Sequence, residues 1–522
     1  MLALAEPDAP AKLESLLAAA QRAQARSDYR AAADAYREAL SIRPDLAELW
    51  SNLGVMRYES QDYPQAEEAF RRALSINKSL FVPNLFLGLD LLDSKRPREA
   101  VGYLLAAQKL NGQDTQAILA LGRAFHALLE SAQSRDWYQR AAALAPRNGE
   151  AWYGLGLAFL GLAQSSGAKL AAFSHSAYVA ELTADAFAKQ GRGTEALQAY
   201  RELLASNEQP PRCARTAYGL VLRQHGDRTQ AKEQFERDHD ACPVAQHPDA
   251  ARQAQSPPER PVPALDKLTK QNLEQFASDA FFSGDFRAAA RAADRLERRY
   301  PNNAAGWYWA VRTNQELGVA ALAHAGEVEP DSPRIHALLG DAYQQRRMFR
   351  EAEREYSKIL ALEPDSVAGF AGLSAAYLRD GNPEQAQANA QKALARSPED
   401  SELNLLMGEI MVAEHKYAEA EPYLKHSLNA RPDLLARVHA LLGRIYARIG
   451  RPKEAMSELT QGLASDEDGS VYYQLARLYQ SSGDAKAAAA AFEKSNRVRS
   501  RHQNPAIEIL APVQAQGDSP ER

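Results

Sequence analysis

The sequence predicts an all-α protein built as a solenoid of antiparallel helix pairs. Three observations lead there. A pattern of apolar and small residues returns at a fixed interval, as the 34-residue spacing of Pro364, Pro398 and Pro432 shows. Within each copy the apolar positions fall three and four apart, which places them on one helix face. The chain has 522 residues, 45% hydrophobic and 25% charged. That composition is ordinary for folded protein, but the length exceeds what one compact core accommodates.

The repeat is clearest over 47–80, with Trp50, Leu53, Gly54, Asp62, Tyr63, Ala66, Phe70 and Ala73. The same frame at 333–366 holds His336, Leu339, Gly340, Tyr343, Phe349, Ala352, Tyr356, Ile359 and Pro364. At 367–400 it holds Phe370, Leu373, Tyr377, Gly381, Ala386, Ala393 and Pro398, and at 401–434 Met407, Gly408, Tyr417, Ala420, Leu424 and Pro432. Two apolar-striped helices joined by a short polar turn make a helical hairpin. Gly or Ala at the eighth position and Ala at the twentieth let the two helices approach closely. Large residues at the fourth, eleventh and twenty-fourth fill the space toward the next hairpin. The closing proline stops the second helix. A single hairpin cannot bury both faces, so neighbours must stack.

These residues resemble the tetratricopeptide repeat family, over roughly nine-tenths of the chain. The resemblance implies a right-handed superhelical solenoid of about fourteen units, beginning near 13, 47, 81, 115, 149, 177, 212, 270, 304, 333, 367, 401, 436 and 469. Three departures interrupt it. The unit at Gly149 starts normally with Trp152, Leu155, Gly156 and Phe159, but its second half is short and lacks the closing proline. The unit at Ala304 begins with Trp307 and then loses about five residues before Pro330. Both are expected to keep a helix and to alter the local superhelix. The third break, Val244 to Asp266, holds five prolines and reads as a linker between solenoid halves 13–243 and 267–502. Residues 1–12 read as an N-terminal segment. The tail from Gln503 is rich in Pro, Gln, Gly and Ser and reads as disordered.

Charge and motifs exclude several function classes. Lys+Arg number 62 against Asp+Glu 67, a net charge of −5, without the basic bias of a nucleic-acid binder. The most apolar stretch, Ala151 to Ala163, is shorter than the roughly 20 residues of a membrane span. The start MLALAEPDAP lacks the basic and apolar regions of a signal peptide, although Ala3-Leu4-Ala5 has the small-x-small form of a cleavage site. The expected location is cytoplasmic, or periplasmic or secreted if the true start lies upstream. No phosphate-binding loop, zinc-protease or nucleophile-elbow motif occurs, and Gly154-x-Gly156 lies in a helix rather than between strand and helix. The expectation is a protein that is not an enzyme and carries no cofactor or metal.

Cys213, His239, Cys242 and His247 form one local cluster. The readings, in order, are two unpaired thiols, then a disulfide across one hairpin, then a zinc site, which lacks paired Cys-x-x-Cys spacing.

In the tetratricopeptide family the first helices line the concave face, through positions two, five, six, nine, twelve and thirteen. Carried over, this implies an apolar groove of Val82, Leu85, Phe86, Leu89, Leu92, Leu119, Tyr153, Leu157 and Leu160 that could hold a peptide or amphipathic helix. The alternative is packing against neighbouring helices. It also implies a basic groove of Arg437, Arg444, Arg448 and Arg477 with Tyr473 between them, suited to an acidic segment or a free C-terminus; the alternative is solvated arginine paired with nearby glutamates. The family's two-carboxylate clamp is absent, since its positions hold Ser51 and Val55, Leu85 and Leu89, or Ala337 and Asp341. The asparagine ladder of the glycosyltransferase-linked arrays is absent too, Asn52 alone fitting it. The expected function is a scaffold binding protein or peptide partners; the alternative is a recruiting subunit for a separate enzyme or a cell-envelope or polysaccharide assembly.

Overall fold

A computed structural model describes residues 9–173, 175–189, 192–206, 209–238, 242, 264–345, 348–429, 432–466 and 468–502. All regular structure among them is helical. The expected linker falls largely, and the expected tail wholly, outside the described residues.

Contacts divide the chain into two units. The first comprises residues 1–162 and 315–329, and the second 163–314 and 330–521. These boundaries differ from the halves read from the sequence, and the long helices explain why. The first unit opens with four hairpins: α1 (Ala9–Gln24) with α2 (Tyr29–Ile42), α3 (Ala47–Glu59) with α4 (Tyr63–Ile76), α5 (Phe81–Asp93) with α6 (Pro97–Leu110), and α7 (Thr115–Ala127) with α8 (Ser131–Leu144). Next comes α9 (Gly149–Leu170), an uninterrupted helix. In the second unit α10 (Ala177–Lys189) pairs with α11 (Gly193–Ala205), α12 (Ala214–Gln224) with α13 (Arg228–Asp238), and α14 (Lys270–Phe282) with α15 (Phe286–Arg299). The second long helix is α16 (Ala304–Val328). Five hairpins follow: α17 (Pro333–Gln345) with α18 (Phe349–Leu362), α19 (Val367–Arg379) with α20 (Pro383–Arg396), α21 (Ser401–Ala413) with α22 (Tyr417–His426), α23 (Pro432–Arg448) with α24 (Pro452–Gln461), and α25 (Ser470–Ser481) with α26 (Ala485–His502).

Local chemistry sets the ends of these helices. Among the described residues, ten hairpin turns carry one left-handed residue at the fifteenth position: Ser27, Gln61, Lys95, Leu129 and His415, or glycine at 226, 284, 381, 450 and 483. That conformation lets the chain fold back and cap the first helix, as Asp62 N–H donates to Arg57 O and Gln61 N–H to Tyr58 O, both at 2.9 Å. Several second helices begin with proline in their first turn, at Pro64, Pro97, Pro383 and Pro452, where no backbone donor is lost. The fourth position ties down the turn that precedes it. The Trp50, Trp152 and Trp307 indoles donate to the carbonyls of Pro44, Pro146 and Pro301 at 2.8–2.9 Å. Asn84 and Asn404 do the same with Lys78 and Pro398 at 3.1 and 2.8 Å.

The eighth-position glycine faces the large twenty-fourth residue of its own hairpin in Gly54/Phe70, Gly88/Leu104 and Gly122/Tyr138. For Gly156 the corresponding residue is Leu322, on the second half of α16. A hairpin is therefore completed from a distant part of the chain. Residues 149–162 supply its first helix and residues 315–329 its second. Gly318 meets Leu160 across the same crossing. The Trp152 ring stands edge-on to His324 at 4.5 Å, and Glu329 Oε1 accepts from the Gly149 N–H at 2.9 Å. Ala321 enters the core of Ile118, Leu119, Tyr138 and Leu155. The two imperfect repeats of the sequence are thus one feature. The missing close of the unit at Gly149 is supplied by residues 315–329, the second half of the helix that opens the unit at Ala304. In the second unit, Leu170 from the other half of α9 joins the core containing Tyr308 and Trp309 of α16.

Candidate partner-binding face

The apolar face read from the family positions is largely closed. Leu85 and Leu89 are 3% and 5% exposed and lie inside the core that also holds Phe70, Leu104 and Leu121. Leu119 is 8% exposed, in the core that Ala321 joins. Phe86 and Leu92 are half-buried against the α3–α7 core; the Phe86 ring stacks on Phe70 at 6.0 Å and meets Tyr58 edge-on at 5.3 Å. Tyr153, Leu157 and Leu160 are half-buried on α9, with Leu160 against Gly318. Val82 alone of this set is exposed. Leu85, Leu89 and Leu119 are therefore packing residues that a partner cannot reach in the folded array. Adjacent hairpins bury these three, and in α9 the segment 315–329 covers part of the rest, while Phe86, Leu92, Tyr153, Leu157 and Leu160 stay half-buried.

The second region is open. Arg437, Arg444, Arg448 and Arg477 are exposed, and Tyr473 is exposed with its ring edge-on to Phe492 at 5.7 Å. Arg444 and Arg448 are four apart on α23, and Tyr473 and Arg477 four apart on α25, so each pair shares a helix face. Arg437 is neutralised by Glu409 of α21 at 2.6 Å. No carboxylate among the described residues pairs with Arg444, Arg448 or Arg477. Arginines elsewhere in the array behave differently. Arg96 bridges Glu67 of the preceding hairpin and its own Glu99 at 3.1 and 2.7 Å. Arg451 repeats the arrangement with Glu421 and Glu454 at 3.0 and 2.6 Å. Both are clasps between successive hairpins.

A third cluster escaped the sequence reading. Glu181 on α10 is wholly buried. Its carboxylate accepts from Tyr308 OH at 2.6 Å and meets the Arg312 guanidinium at 3.4 Å, both on α16. Arg312 also reaches Asp185 at 3.4 Å, and Tyr200 OH donates to Asp185. The guanidinium stands over the rings of Phe281, Tyr308 and Phe282 at 4.8, 5.4 and 5.7 Å. Burial pushes the Glu181 carboxyl up to about 7, against the opposing pull of Arg312. These residues occupy the fifth and ninth positions of the units at 177 and 304, the positions the family uses for ligands. Charged residues at those positions were the available signal.

Tetratricopeptide repeat profiles match residues 17–79, 87–149 and 337–401, then 377–445 and 411–477, then 469–502. The chain belongs to the tetratricopeptide repeat family. Tetratricopeptide repeat protein 21B of Mus musculus is 30% identical over 161 residues, which is 30% of this chain and 12% of that protein. The chain thus matches a small fraction of that relative's length. Among solved structures, MamA residues 41 to the end from Desulfovibrio magneticus RS-1 is 22% identical, covering 28% of this chain and 83% of that one, with a TM-score of 0.28. A thermophilic tetratricopeptide protein of Thermus thermophilus is 22% identical, with 33% and 98% covered and a TM-score of 0.28. The Cut9–Hcn1 hetero-tetramer is 13% identical, with 95% and 90% covered and a TM-score of 0.32.

Tetratricopeptide arrays are typically non-catalytic scaffolds for protein interaction. In this one, Cys213 and Cys242 are joined as a disulfide, with Cα atoms 5.1 Å apart, instead of standing as the two thiols placed first by the sequence reading. Residues 213 and 242 flank one tetratricopeptide hairpin, and antiparallel helices return its two ends to the same place. Thr216 reinforces that closure, donating to Asp238 through its N–H and hydroxyl at 2.9 and 2.8 Å. Phe282 packs on the bridge. His239 and His247 lie outside the described residues. Among the described residues no cluster of His, Cys, Asp and Glu is placed to hold a metal ion, and no helix is long and apolar enough to cross a membrane.

Proposed function

We propose that this chain is a protein-interaction scaffold that takes an acidic peptide or protein segment on the α23–α25 face, through Arg444, Arg448 and Arg477. One observation carries the reading. These three guanidiniums sit exposed on family ligand positions with no carboxylate partner among the described residues, whereas Arg96, Arg437 and Arg451 are each neutralised within the array. Guanidinium presents a planar fork of donors that matches a carboxylate or a free C-terminus. The open ring of Tyr473 adds apolar area beside the charges. Leu85 and Leu89, being buried, offer no competing apolar site.

Titration of a fluorescent polyglutamate peptide with the full chain tests this. Binding should weaken as salt rises from about 50 to about 300 mM, which shortens the screening length by roughly a factor of two. Arg444→Glu with Arg448→Glu should weaken it at least about tenfold at low salt, since reversing two charges removes on the order of 1.4 kcal/mol or more. Equal affinity of a folded double variant would return these arginines to plain solvated surface.

A further inference from the structure

The buried cluster of the second unit has an uneven charge count. Tyr178, Glu181 and Asp185 come from α10, Tyr200 from α11, and Tyr308 and Arg312 from α16. Asp238 at the end of α13 acts on Glu181 through space, and Glu274 of α14 acts on Tyr178. Two carboxylates, Glu181 and Asp185, therefore share the single guanidinium of Arg312, and the other titratable side chains named nearby add no second cation for them. Glu274 has its own cation, Lys270, at 3.8 Å, and Asp238 accepts two hydrogen bonds from Thr216. Nothing comparable among the described residues offsets Glu181 once Asp185 has claimed part of Arg312. An unbalanced charge in a wholly buried position is costly, and the least costly remedy is to neutralise it with a proton.

We propose that Glu181, Asp185, Arg312 and Tyr308 form a proton-operated lock in the second unit: a proton on Glu181 balances the buried charge and tightens the packing of α10 on α16, and its loss loosens that packing. With Glu181 neutral, Arg312 and Asp185 form a matched pair, and the Glu181 carbonyl still accepts from Tyr308. With Glu181 ionised, one negative charge is left over in the core. The carboxyl's position near 7, above its ordinary 4.5, agrees with this. The direction follows from linkage. The folded chain keeps a proton that the unfolded chain releases between those two values. Stability is therefore full below that window, falls as pH rises through it, and levels off above it. The helix faces held by the lock are those the family uses for ligands, so it governs how firmly they are closed.

Thermal melting of the full chain with Glu181→Gln tests the lock, because glutamine mimics the protonated acid. The variant should melt close to wild type at about pH 4, and its lead over wild type should grow by about 4 °C or more between pH 5 and pH 8.5. Asp185→Asn is the second variant. It leaves Arg312 wholly to Glu181, so it too should flatten the fall in melting temperature between pH 5 and 8.5. Hydrogen exchange should place the pH-dependent loosening in α10 and the first half of α16. Glu297, pushed to about 7 by burial beside Ser166, contributes a slope that both variants retain. A difference between variant and wild type that is the same at pH 5 and 8.5, in whichever variant folds, overturns the proposal.

Discussion

The composite hairpin makes a sharp demand on Gly156. A Cβ built there would lie 2.5 Å from Leu322 Cγ, 2.8 Å from its Cδ2 and 3.1 Å from the Gly318 carbonyl oxygen. Carbon atoms settle at about 3.5–4.0 Å, so Gly156→Val needs α9 and α16 to part by roughly 1 Å. Overpacking of this kind costs about 1–3 kcal/mol, while leaving glycine in a helix interior returns only about 0.4 kcal/mol for valine. The net expectation is a loss of about 0.6–2.6 kcal/mol. Adding Leu322→Ala should recover at least about 1 kcal/mol of it, because the valine fills the vacated space. Gly102→Ala is the control. Nothing lies within 4 Å of its Cβ, so it should stabilise by up to about 1 kcal/mol. Hydrogen exchange by mass spectrometry reads each segment separately. Gly156→Val should speed exchange in 149–162 and in 315–329 together, and leave α3 and α4 unchanged. Unchanged exchange in 315–329 would refute the pairing of these distant segments.

Other outcomes follow from the same packing. The Cys213–Cys242 bridge spans 29 residues of sequence, a loop whose closure is worth about 3–4 kcal/mol in the chain-entropy treatment; a reductant should lower the wild-type melting temperature and leave Cys213→Ser/Cys242→Ser unaffected, and a wild type indifferent to reductant would mean that the bridge is not formed. Leu129 holds a left-handed turn at φ 60° and is 87% exposed, so Leu129→Gly should stabilise by about 1 kcal/mol, seen as a raised denaturation midpoint; a lowered one would show that the leucine has a contact of its own.

Much of the fold was legible in the chain. The fixed interval, with tryptophan or asparagine at several fourth positions and glycine at many eighth positions, marks the hairpins, because a structure repeated by translation places the same physical demand at the same position. Even the half-exchange left its trace as two shortened repeats, at Gly149 and at Ala304. Its meaning was not legible, because a sequence displays two incomplete repeats without showing that the second half of one meets the first half of the other. The candidate site divides along similar lines. Arg444, Arg448 and Arg477, read as a basic groove, are exposed. Leu85 and Leu89 occupy positions where a leucine facing a groove and a leucine under a neighbouring helix have the same pattern. Glu181 and Arg312 lie far apart in sequence, and neither position reveals a buried partner by itself.

What the sequence determined was local: where each helix starts and stops, which face is apolar, and that neighbouring hairpins must stack. These follow from short-range sterics, hydrogen bonding and the burial of a periodic stripe, which depend on residues a few positions apart. What only the tertiary structure decided was which surfaces remain free. That α9 is closed by residues 315–329, that Arg437 has Glu409 while Arg444 stands open, and that Glu181 shares Arg312 with Asp185 all depend on pairings between distant segments. Burial and charge balance are properties of a place in space, and the chain order alone does not say which side chains will share it.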